Sequence, residues 1–88
     1  MKMIISILQS TDKDQVTKAL NEDGYAVTVL PSTGAYLRRG NTTLLIGVED
    51  EKVQQAIDLV KENCSEPSEL GLKRATVFVL DVSHFQQV

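Results

Sequence analysis

The sequence predicts an α+β sandwich whose four strands and two helices follow the order β-α-β-β-α-β. Three observations lead to this prediction: short β-branched runs, two stretches with apolar residues at helical spacing, and Gly or Pro residues between them. Strand–helix–strand connections are right-handed, so two such halves interleave into an antiparallel four-stranded sheet with both helices on one face. This arrangement is the ferredoxin-like sandwich.

The strands are predicted from runs of alternating or continuous apolar residues. They cover residues 3–8, 25–30, 42–48 and 75–82. The first and last runs are apolar on both sides, which is typical of strands in the centre of a sheet. Gly47 inside the third run indicates a bulge or a close backbone approach. The other sheet face has no helix to cover it, so we expect it to pack against copies of the chain.

The helices are predicted from apolar stripes with i, i+3, i+4 spacing. The stripes are Val16, Ala19 and Leu20 in the first helix, and Val53, Ala56, Ile57, Val60 and Cys64 in the second. We expect the first helix over about residues 12–23, with N-cap oxygens from Ser10, Thr11 or Asp12. Gly24 then ends it in the left-handed conformation. The acidic residues 49–51 open the second helix.

Composition narrows the class of protein. The chain has 88 residues, 42% of them hydrophobic, and a net charge of −3, which predicts a single domain over residues 1–88. The acidic balance argues against a nucleic-acid or anionic-membrane partner. One Cys and one His exclude an internal disulfide and a zinc site of usual spacing. No stretch has the length of a membrane span or of a signal sequence, so we expect a cytoplasmic protein.

Catalysis is not predicted. The acidic residues that are close together in sequence lie at helix starts or in the polar segment 65–73, where capping and solvation explain them. Cys64 lies on the apolar stripe of the second helix and is expected to be a small core residue. His84 has no partner pattern around it, and no nucleophile elbow, P-loop or dinucleotide fingerprint is present. Binding is therefore the expected activity, with no cofactor and no metal.

The stretch 28–47 carries the side chains best suited to binding. Its simpler interpretation is a hairpin connection, because Gly, Pro and Asn residues lie between two apolar runs. The alternative is a nucleotide site in which Tyr36 offers a ring face and Arg38 and Arg39 offer forks for phosphate. Asn41 and Thr28 would add hydrogen-bonding groups at the roots of the loop.

Three segments of the chain carry a recognisable sequence pattern: MKMIISILQ, STGAYLRRGNTTLLIGVEDEKV and ATVFVLDV. Together they closely resemble the cyclic-di-AMP receptor family, whose loop pattern meets residues 32–43 with small departures. The resemblance implies a PII-like form of the ferredoxin-like fold, assembled as a homotrimer that binds cyclic di-AMP in clefts between subunits. It also implies signal transduction without catalysis, through loops that rearrange and meet an unidentified downstream protein.

The resemblance also implies a set of ligand-binding residues. They are Thr28, Ala35, Tyr36, Leu37, Asn41, Gly47, Phe78 and Gln87. Tyr36 stands where the family has Phe and would stack on a base, with Leu37 beside it. The backbone at Gly47 would lie close to adenine. Phe78 and Gln87 would be supplied across the subunit boundary.

Four residues and one segment depart from the family pattern. Ala26 replaces an Arg, Ala35 replaces the second Gly of a pair, Lys73 and Arg74 replace Gly-Gly, and segment 65–73 is short. These departures leave an alternative open: a PII-like trimeric interaction module that binds another adenine nucleotide, ATP or AMP, or none.

Overall fold

The computed structural model describes residues 1–30, 40–65 and 75–83. Its regular elements are β1 (Lys2–Gln9), α1 (Lys13–Glu22), β2 (Ala26–Leu30), β3 (Asn41–Val48), α2 (Val53–Glu62) and β4 (Ala75–Asp81). A single 3₁₀ turn precedes each helix, at Ser10–Asp12 and at Asp50–Lys52. The strands form one antiparallel sheet, so the structure is a small α+β unit compatible with the predicted ferredoxin-like sandwich.

The order of strands across the sheet is β2-β3-β1-β4. The prediction that β1 is central is confirmed, but the prediction that residues 75–82 form a central strand is wrong. β4 lies at the edge of the sheet, and its Phe78, Val79 and Leu80 are exposed. An apolar run indicates that both faces of a strand become covered, but it does not indicate whether another strand pairs on each side.

The strand register assigns every side chain to one of two faces. Ile4, Ser6 and Leu8 alternate with Met3, Ile5 and Ile7 along β1, and only the first set is fully buried. Residues opposite one another in the ladder share a face. The face of Met3, Ile5 and Ile7 is called the open face below. It also carries Gln9 from β1, Ala26, Thr28 and Leu30 from β2, Asn41, Thr43, Leu45 and Gly47 from β3, and Thr76, Phe78 and Leu80 from β4.

The two helices cover the other face of the sheet. Their buried side chains join those of β1 and β3 in one aliphatic cluster. The buried members are Ile4, Leu8, Val16, Leu20, Tyr25, Leu44, Ile46, Val48, Ala56, Val60 and Cys64. Cys64 is thus the core residue that its place on the apolar stripe of α2 predicts. Burying this surface is the main favourable contribution to folding.

The start of α1 differs from the prediction. Within the described ranges, neither helix has a side-chain hydrogen bond from its N-cap residue. Ser10 Oγ instead pairs with Thr42 Oγ1 at 2.7 Å, and Asp12 Oδ1 accepts a hydrogen bond from Ser65 Oγ at 2.7 Å. The predicted capping is therefore wrong, because partners distant in sequence take these oxygens. The end of α1 is as predicted: Gly24 has φ +89°, the left-handed conformation.

The ladder between β1 and β4 ends with an ion pair between Lys2 and Asp81. The hydrogen bond from Lys2 holds the pKa of the Asp81 carboxyl below its ordinary value. The same bond raises the pKa of Lys2. Both shifts favour the charged pair, so it persists across the neutral pH range.

Candidate functional site

The structure brings four of the eight predicted ligand-binding residues onto the open face. They are Thr28, Asn41, Gly47 and Phe78. Thr28 is exposed on the edge strand β2, Asn41 and Gly47 are half-buried on β3, and Phe78 is 51% exposed on β4. The other four, Ala35, Tyr36, Leu37 and Gln87, lie outside the described residues.

Two parallel rows run across all four strands of the open face. One row joins Thr28, Leu45, Ile5 and Phe78, and the next joins Ala26, Gly47, Met3 and Leu80. Neighbouring strands lie about 4.8 Å apart, so the backbones at Thr28 and Phe78 are separated by about 14 Å. These two predicted contacts lie at opposite edges of one sheet.

Asn41 lies at the root of the segment 31–39, which is outside the described residues. The preceding Gly40 has φ +87°, and its carbonyl accepts a hydrogen bond of 2.8 Å from the amide of Ser10. The hydroxyls of Ser10 and Thr42 join the same two strand ends at 2.7 Å. These bonds fix the backbone on both sides of Asn41, so its amide group projects from a rigid position.

Gly47 lies at the other end of β3, in an unbroken ladder between Met3 on β1 and Ala26 on β2. The predicted bulge is therefore absent from this ladder, and the close approach is made by a side chain. A β-carbon added at Gly47 would lie 3.0 Å from Cε of Met1. The methyl group of Met1 thus occupies the space above Gly47 on the open face.

A hollow of about 210 Å³ adjoins Gly47 at this end of the sheet. Its lining residues come from the start of β1, the turn into β2 and the turn after β3. They are Met1, Asp23, Gly24, Tyr25, Ala26, Gly47, Val48, Glu49 and Lys52. Burial raises the pKa of the Tyr25 hydroxyl, and the Asp23 carboxylate adds to the shift, so this phenol stays neutral at neutral pH.

The described residues of the open face offer apolar contacts and hydrogen-bonding groups. They are apolar side chains, hydroxyls, amides and glycine, with no ionisable group among them. In residues 1–30, 40–65 and 75–83, no group of three or more His, Cys, Asp or Glu side chains could hold a metal ion. No helix in those same ranges is long and apolar enough to cross a membrane.

Sequence reasoning missed three parts of this site. It did not identify Met1 as the neighbour of Gly47 or Leu80 as the neighbour of Phe78 on the same face. Strand alternation was the available signal, because Met1 and Met3 share a parity, as do Phe78 and Leu80. The pairing of Ser10 with Thr42 joins residues 32 positions apart, and no local pattern indicates it.

With this geometry in hand, comparison with known proteins identifies the family. The model of the cyclic-di-AMP receptor family matches residues 1–71, most of the chain. The chain belongs to this family, which is a family of receptors. The match ends before β4, so Phe78 and Gln87 lie beyond it.

A solved structure supports the fold independently. The chain is similar to a functionally unknown protein from Pediococcus pentosaceus ATCC 25745, with a TM-score of 0.77 and 29% sequence identity. The similarity covers 99% of this chain and 96% of that one. It therefore extends through β4, where the family match has ended.

Proposed function

We propose that this chain is a cytoplasmic, PII-like signalling protein that binds cyclic di-AMP in clefts between the subunits of a homotrimer. Binding rearranges loops that a downstream protein then recognises. Residues 1–88 act as a single domain of this kind. The observation that carries the proposal is that Thr28, Asn41, Gly47 and Phe78 share one open face in a chain of the receptor family.

The width of the sheet supports a cleft between subunits. Thr28 and Phe78 lie at opposite edges of the open face, about 14 Å apart by strand spacing. One base cannot contact both residues of the same chain. If both contact one base, Phe78 must come from a neighbouring subunit whose β4 approaches β2.

The length of β3 supports a ligand with two nucleotides. Asn41 and Gly47 are six residues apart on one strand, which corresponds to about 20 Å at about 3.3 Å per residue. A single nucleoside is shorter than this separation. A dinucleotide can place one base near Gly47 and Thr28 and the other near Asn41.

The alternative is a trimeric interaction module of the same fold that binds ATP or AMP, or no nucleotide. The small side chain of Ala26 favours it, because it leaves the hollow beside Gly47 without a polar group from β2. The two functions predict different ligands: cyclic di-AMP for the proposed function, and ATP, AMP or no nucleotide for the alternative.

Isothermal titration calorimetry with cyclic di-AMP, ATP and AMP in parallel tests the proposal. We expect binding of cyclic di-AMP, and we expect Asn41→Ala to weaken it about tenfold or more because a hydrogen-bonding amide is lost. Asn21→Ala is the matched control, since Asn21 is exposed on α1, away from the open face. A preference for ATP or AMP, or equal binding by Asn41→Ala and the wild type, contradicts the proposal.

A further inference from the structure

We propose that the side chain of Met1 contacts the base at the base-binding end of the site. Its side chain covers Gly47, and a purine ring displaces the methyl group and then packs against the thioether. This inference rests on the proposed function, because the purine is one base of the dinucleotide. It adds a ligand contact from a residue that neither the loop pattern nor the family resemblance indicates.

The hollow exists because two paired residues have almost no side chain. Ala26 and Gly47 are opposite one another on β2 and β3, whereas the neighbouring pairs are Thr28 with Leu45 and Leu30 with Thr43. The side chains of the open face are therefore smallest at the Ala26–Gly47 pair. Space of about 210 Å³ adjoins this pair, and a flat ring can approach the backbone of Gly47 there.

Only the side chain of Met1 fills the position directly above Gly47 among the described residues. Its Cε lies 3.0 Å from where a β-carbon of Gly47 would be. A base that lies on the Gly47 backbone needs that same space. Base and methyl group therefore compete for one position.

Polar contacts fix the backbone of Met1, whereas the end of its side chain can move. Its carbonyl accepts a hydrogen bond of 3.0 Å from the amide of Val82, and its amino group lies 3.0 Å from the Asp50 carboxylate. The residue is nevertheless 47% exposed, and methionine has three rotatable side-chain bonds. The side chain can therefore change rotamer and leave Gly47 while the start of β1 stays fixed. Its sulfur can then make favourable contacts with an aromatic ring.

The polar residues around the hollow can recognise the edge of a base. Asp23 and Glu49 belong to its lining, as do Lys52 and the charged amino group of Met1. The amino group of a purine can donate a hydrogen bond to a carboxylate there. The hollow therefore suits the base end of a nucleotide.

Methyl-labelled methionine gives a direct test, because the chain contains two methionines. The protein is produced with ¹³C in the methionine methyl groups, and Met3→Leu assigns the two resonances. We expect saturating cyclic di-AMP to shift the Met1 methyl signal by the ring current of the base and to give a nuclear Overhauser effect between that methyl and a purine proton. If Met3→Leu does not fold, the contact of the Met1 methyl with the α-protons of Gly47 makes the assignment instead.

The outcomes separate this inference from the proposed function. Calorimetric binding with no change at the Met1 methyl overturns the inference and leaves the proposed function standing. Absence of binding overturns both. Gly47→Ala adds a check on the empty protein, because its β-carbon must move the Met1 methyl and shift its resonance before any ligand is present, whereas Asn21→Ala must not. An unchanged signal in Gly47→Ala contradicts the contact from which the inference starts.

Discussion

A serine hydroxyl lies in the middle of the aliphatic core. Ser6 is fully buried on β1 between Ile4 and Leu8, opposite Leu44 and Val77 of the neighbouring strands. Its Oγ has no hydrogen-bond partner among the described residues. A buried hydroxyl without a partner costs free energy, so Ser6 lowers the stability of the fold.

Ser6→Ala should therefore stabilise the protein, by about 1 kcal/mol, because it removes a desolvated group that makes no bond. The measurement is the free energy of unfolding in urea, followed by circular dichroism. Ser10→Ala is the matched control and should change the free energy by about 1 kcal/mol in the opposite direction, because buried Thr42 loses its partner. A Ser6→Ala variant less stable than the wild type would contradict this account of the hydroxyl.

Single residues were predictable where strand alternation determines them. Alternation placed Ala26, Thr28 and Leu30 on one face of β2, and the register confirms this. The partners of Ser10 and Asp12 were not predictable, because both bonds depend on how distant elements pack. Local sequence offers capping as the default use of such oxygens, and tertiary contacts override it here.

At the scale of elements, one hydrogen bond joins the start of α1 to the end of α2. Asp12 precedes α1 and is buried, and its Oδ1 accepts a hydrogen bond from Ser65, which follows α2. Its Oδ2 has no partner in the described part of the chain. The bond from Ser65 is thus the one described side-chain contact that compensates the burial of this carboxylate.

Ser65→Ala should lower the free energy of unfolding by about 1–3 kcal/mol, since it leaves a buried acceptor unsatisfied. The midpoint of urea denaturation measures the loss. Ser83→Ala serves as the control, because Ser83 is exposed and follows β4. Equal midpoints for the two variants would show that the Ser65–Asp12 bond contributes nothing.

Elements were predicted more reliably than their arrangement. The first helix and all four strands lie within one or two residues of the predicted bounds, because apolar periodicity and Gly24 determine them locally. The second helix begins at Val53, after a 3₁₀ turn that contains two of the acidic residues predicted to open it. The edge position of β4 was missed. Its apolar character indicates side chains suited to burial on both faces, but it does not indicate whether a further strand pairs with it.

At the scale of the whole molecule, the open face leaves large apolar side chains uncovered. Phe78 and Leu80 are 51% and 50% exposed, and they continue the apolar surface of Met3 and Ile5. Burying such a surface against further copies is favourable. This apolar surface supports the proposed assembly of several chains.

Two neighbouring residues of β4 offer a sharp test of the assembly. Leu80 faces the open side and Val79 faces the helices, and their exposure is similar, at 50% and 42%. We expect Leu80→Lys to reduce the mass seen in analytical ultracentrifugation from three chains to one, because a charge enters the interface. Val79→Lys should leave the trimer intact. Equal masses for the two variants, or a monomeric wild type, would refute an interface on the open face.

The pairing of β1 with β4 also bears on how the chain is synthesised. Lys2 and Asp81 are opposite one another, so β1 receives its outer neighbour only when β4, made much later, has left the ribosome. Until then, one edge of β1 has unpaired backbone groups that can join another nascent chain. A chain that is cut short before residue 75 keeps that edge exposed. Premature termination should therefore yield aggregates, even though both helices and three strands have already been made.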